Sequence, residues 1–79
     1  MNYYEIGQRI RKMRKAHGLS QETLAEKIGI STTHMSHIET GNTKLSLPVF
    51  VDIADALEVN TDDLLSREAH ELKKASLSH

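Results

Sequence analysis

The chain has 79 residues, enough for one small domain with a modest core. It contains no cysteine, which rules out disulfides and thiolate metal sites, and no apolar run approaches the ~20 residues of a membrane span or fits a signal peptide. The net charge of −1 hides an asymmetry, because residues 1–48 hold seven Lys/Arg against four Glu (+3) and residues 49–79 hold three against seven Asp/Glu (−4), a division suited to meeting a polyanion with one face.

No long stretch alternates with period two, while 3.6-residue periodicity recurs, so an all-α fold of five helices is expected. Ile6, Ile10 and Met13 fall at i, i+4 and i+7, which predicts a first helix over about residues 3–16, stopped by Gly18. Ser20 then caps a second helix, whose Leu24, Ala25 and Ile28 face inward and which ends at Gly29. Ser31 caps a third, with Met35 and Ile38 on its inner face and a stop near Gly41. The loop "GNTKLS" is rich in turn formers. Ser46 caps a fourth helix that tolerates Pro48 in its first turn and buries Phe50, Ile53, Ala54 and Leu57. Asn60 opens a fifth, with Asp62 and Asp63 at its positive end and Leu64 and Leu65 closing the core. Residues 1–66 are expected to form the domain, with 67–79 as the end of the fifth helix and a C-terminal tail.

The third helix carries an unusual surface. Projected at about 100° per residue, Thr33, Ser36, His37 and Thr40 share one face, with Met35 and Ile38 opposite. Thr32 and His34 flank that face at its N-terminal end. These residues are poorer helix formers than Ala, Glu or Lys. Their hydroxyl and imidazole groups can hydrogen-bond base edges, and a threonine methyl can pack on a thymine methyl. A tolerant solvated surface would explain them equally well on an isolated helix. The neighbouring helix tips the balance, because Ala25, Gly29, Met35 and Ile38 stand at helix-turn-helix spacing and Ile30 fills the corner.

From about Ile6 to Leu65 the sequence closely resembles the Cro/CI-type (XRE) family of DNA-binding domains, through "LSQETLAEKIGIS", "MSHIETG" and "ALEVNTDDLL". The resemblance implies a lambda-repressor-like fold whose third helix lies in the major groove. It gives base-readout roles to Thr32, Thr33, Ser36 and His37. It assigns DNA-backbone contacts to Ser20, Gln21, His34, Thr40, Asn42, Thr43 and Lys44, with Gln21 at a helix N-terminus suited to a phosphate. It also implies an ion pair between Arg14 and Glu39 that links the first helix to the third. Two departures stand out. The reading face holds no Arg, Lys, Asn or Gln, so readout is expected to lean on thymine methyl contacts, single hydrogen bonds, water and DNA shape. Glu58 stands where the family often has Gly, so a different turn is expected there.

Other chemistries fit less well. His34 and His37 supply two ligands where zinc usually wants three or four, so no metal or other cofactor is expected. No Gly-flanked nucleophile or phosphate-binding loop gathers Ser, His and Asp into an enzyme site. The rival reading is an antitoxin or adaptor of the same fold whose main partner is another protein. The favoured expectation is a cytoplasmic repressor of transcription that binds double-stranded DNA, with no membrane partner. One such domain touches few base pairs, so a homodimer on a palindromic operator is expected. Leu65, Ala69 and Leu72, at i, i+4 and i+7, form the candidate dimer contact.

Overall fold

Polar side chains start the first four helices. In the computed structural model, which describes residues 2–65, these are α1 (Tyr3–Ala16), α2 (Gln21–Ile28), α3 (Thr32–Thr40) and α4 (Leu47–Ala56), followed by α5 (Thr61–Leu65). The side-chain oxygens of Asn2, Ser20, Ser31 and Ser46 each accept the amide proton three residues on, at 3.1, 3.0, 3.0 and 3.4 Å. Each cap satisfies one of the donors that a helix start leaves without an internal partner. At α5 the direction is reversed, since the Asn60 amide donates to the Asp63 carboxylate at 3.1 Å. The described residues contain no strand, and none of their helices is long and apolar enough to cross a membrane.

The helix ends follow one pattern. At the end of α4 the Val59 amide donates to the Ala54 carbonyl at 3.0 Å, and the Glu58 amide donates to that of Asp55 at 3.1 Å. Equivalent pairs close α1 through Leu19 and Gly18, α2 through Ile30 and Gly29, and α3 through Asn42 and Gly41. This closure needs one left-handed residue, which is glycine in the first three cases. In the fourth it is Glu58, with φ +57°. The turn expected to differ at Glu58 therefore keeps the standard closure, and the backbone strain of a non-glycine residue is the consequence.

Ile6, Ile10, Leu24, Ala25, Met35, Ile38, Ile53, Ala54, Leu57 and Leu64 are all but fully buried, and Phe50 is nearly so. Met13, Ile28, Ile30 and Leu65 pack against this core while remaining partly exposed. The sequence stripes thus identify the inner faces, with Met13, Ile28 and Leu65 at the rim rather than the centre. One determinant lies outside the stripes. A Cβ added at Gly7 would strike the Ile38 carbonyl oxygen and come within 2.6 Å of that of Glu39. The missing side chain lets the α1 and α3 backbones meet directly, which fixes the depth at which α3 sits.

Candidate nucleic-acid interface

Helices α2 and α3 are joined by a turn in which the Ile30 amide donates to the Ala25 carbonyl at 3.0 Å. Buried Leu24 and Ala25 on α2 and Met35 and Ile38 on α3 hold the two helices on a common core. The inner side of α3 is thereby anchored, leaving its other side to face solvent.

A buried polar cluster pins the far end of α3. Glu39 is 1% exposed and Arg14 is 7% exposed. Arg14 Nε donates to Glu39 Oε2 at 2.7 Å and Nη2 donates to Oε1 at 3.1 Å, a two-pronged contact that fixes both planes. Its remaining nitrogen, Nη1, donates to the Leu19 carbonyl at 2.6 Å. Gln21 Nε2 adds a donor to Glu39 Oε1 at 3.0 Å, and Gln8 Nε2 donates to the Glu39 backbone carbonyl at 3.0 Å. One carboxylate therefore ties together α1, the start of α2 and α3. Every buried side-chain nitrogen and oxygen among the described residues has a partner. That condition makes a buried charge tolerable.

Gln21 therefore also has a partner within the fold that the sequence did not suggest. One side-chain N–H goes to Glu39, leaving its other N–H and its first-turn backbone amide for a ligand. Ser20 caps α2 and also donates its hydroxyl proton to Thr23 Oγ1 at 2.9 Å. Gln8 and Gly7 escaped sequence reasoning altogether. A glycine within the apolar face of a helix costs about 1 kcal/mol in propensity, which signals a close approach of backbones. No comparable signal marks Gln8.

On the outer side of α3, Thr32, Thr33, His37 and Thr40 are exposed, while His34 and Ser36 are half-buried. The side chains of Thr32, Thr33, Ser36 and His37 make no hydrogen bond to other described residues, so their polar groups are left to solvent or a ligand. Thr40 differs. Its hydroxyl donates to the Ser36 carbonyl at 2.9 Å and accepts from Asn42 Nδ2 at 3.0 Å. Thr40 and Asn42 thus spend polar groups on closing the helix. In the following loop, Lys44 is exposed and Thr43 half-buried.

The basic front of the sequence is reduced by the fold. Arg14 is neutralised inside, and Arg9 lies 4.0 Å from Glu5 while donating to the Leu65 carbonyl. Arg11, Lys12, Lys15 and Lys44 remain exposed. Lys27 shares an open hollow of about 520 Å³ with Asp52 and Asp55, between α2 and α4. Leu65, from the candidate dimer stripe, is partly buried against the core, whereas Ala69 and Leu72 lie outside the described residues.

Two helices on one core, a tight turn between them and a second helix with a solvent-facing polar stripe define a helix-turn-helix domain. A family model described as "Helix-turn-helix" matches residues 10–64. The uncharacterized HTH-type transcriptional regulator YazB of Bacillus subtilis (strain 168) is 40% identical over 62 residues, covering 78% of this chain and 90% of that protein. The cryptic phage CTXphi transcriptional repressor RstR of Vibrio cholerae is 38% identical over 65 residues, which cover 82% of this chain but only 58% of the repressor. Among solved structures, the biofilm master regulator SinR in complex with DNA superposes with a TM-score of 0.72 at 37% identity, covering 77% of this chain and 98% of that one. The chain belongs to the XRE (Cro/CI-type) helix-turn-helix family of DNA-binding transcriptional regulators.

Proposed function

We propose that this domain is a sequence-specific repressor that binds a palindromic operator as a homodimer. The observation that carries the reading is the α3 surface, where four side chains with no hydrogen-bond partner among the described residues stand on a helix held from behind by Arg14 and Glu39. Rigid placement matters because base readout depends on hydrogen-bond geometry.

In this reading Thr32, Thr33, Ser36 and His37 meet base edges. The first turn of α2 holds a phosphate through the backbone amide and second side-chain N–H of Gln21, beside Ser20. His34, Thr40, Asn42, Thr43 and Lys44 line the opposite strand. Two domains related by a twofold axis read half-sites about 34 Å apart, with Leu65, Ala69 and Leu72 as the proposed contact. Repression follows from occupying a promoter. RstR, a relative named as a repressor, supports that sign of regulation.

Selection of bound sequences from random duplex DNA tests the reading. An enriched palindrome is expected, and Thr33→Ala and His37→Ala should alter the preferred bases while leaving the circular-dichroism spectrum unchanged. Lys44→Ala should weaken binding across all sequences and flatten the slope of log affinity against log salt by about two, one for each protomer of the bound dimer. Selection without enrichment, or unchanged preference in folded α3 variants, would overturn the proposal.

A further inference from the structure

Resting on the reading that α3 enters the major groove, we infer that this protein recognises its half-site chiefly through thymine 5-methyl groups, packed against the methyls of Thr32 and Thr33. Purine recognition by paired hydrogen bonds requires a planar terminus with two correctly spaced polar atoms, as in Arg, Asn or Gln. The exposed face of α3 has none. The groups of that kind bound to α3 are already committed elsewhere. Arg14 is buried against Glu39, Gln8 and Gln21 each donate to Glu39, and Asn42 donates to Thr40.

The face does offer methyl groups. Thr32 and Thr33 are exposed in the first turn of α3. His37 and Ser36 add single hydrogen bonds, which discriminate less sharply than a fork. Thymine carries the one methyl group that unmodified B-DNA displays in the major groove. A surface of threonine methyls with no fork is therefore complementary to thymine and largely indifferent to guanine.

The test is a cycle between a methyl on the protein and a methyl on the DNA. Affinity is measured at fixed salt for the selected duplex and for copies in which single thymines are replaced by uracil, which removes only the 5-methyl. Each uracil at a read position should weaken the wild-type protein about fourfold, the value of one buried methyl group. Thr33→Ser keeps the hydroxyl and deletes the methyl, so it should weaken binding to the thymine site and lose sensitivity to uracil at one position. Thr33→Val keeps the methyl and replaces the hydroxyl by a second one, so it should retain that sensitivity. Equal wild-type affinity for thymine and uracil duplexes overturns the inference. So does a uracil penalty undiminished in Thr32→Ser and Thr33→Ser alike. If selection yields no site, or α3 variants leave base preference unchanged, the parent reading falls as well. If a site exists and α3 variants change it without any uracil effect, this inference alone falls.

Discussion

Replacing Arg14 by alanine removes the guanidinium from a carboxylate that the chain holds almost wholly out of solvent. Glu39 would retain one side-chain donor, Gln21 Nε2, and the Leu19 carbonyl would lose its 2.6 Å partner. Breaking one side of a buried pair costs about 3–5 kcal/mol, chiefly because the other charge is stranded. A domain of this size has roughly 4–12 kcal/mol in total, at about 0.05–0.15 kcal/mol per residue. The variant should therefore lose much of its stability. Urea unfolding followed by circular dichroism measures the loss directly. With a slope of about 1 kcal/mol per molar for so small a protein, the midpoint should fall by about 3–5 M, or no folded baseline should survive. The double variant Arg14→Met with Glu39→Leu fills the site with apolar groups and strands no charge, so it should recover most of the loss. A single variant with a midpoint within about 0.5 M of the wild type, on the same slope, would refute the stranded-charge reasoning. A double variant as unstable as the single one would place the cost in packing instead.

Glu58→Gly should raise stability by about 1 kcal/mol, because the left-handed strain of about 1–2 kcal/mol exceeds the extra freedom gained by the unfolded chain. The thermal midpoint should rise by about 4–8 °C, and a flat or lower melting curve would count against strain at this turn. Gly7→Ala should lower the urea midpoint, because its methyl would press on the carbonyls of Ile38 and Glu39, which are backbone and yield poorly. Overpacking of this kind typically costs about 1–3 kcal/mol. An unchanged midpoint would show that α1 and α3 can separate freely.

The five helices were legible because their signals are local. Ser20, Ser31 and Ser46 mark helix starts, Gly18, Gly29 and Gly41 mark ends, and apolar spacing marks each inner face. The α3 stripe was legible for the same reason, since burial of Met35 and Ile38 on one side of a helix sends Thr33 and His37 to the other. The turn at Glu58 was misjudged from its residue type. Two backbone hydrogen bonds and Val59 packed beside the core hold it in the left-handed conformation, and neither is visible in a residue preference.

The sequence by itself determined the helix boundaries, the two faces of α3 and the family, because capping, periodicity and motif spacing act over a few residues of chain. Only the tertiary structure decided which polar groups remain available to DNA. Gln8, Gln21 and Arg14 converge on Glu39 from 31, 18 and 25 residues away, and those hydrogen bonds exist only once the helices have packed. A side chain's chemistry is written in its residue type. Whether that chemistry is already spent depends on neighbours that folding brings within about 3 Å.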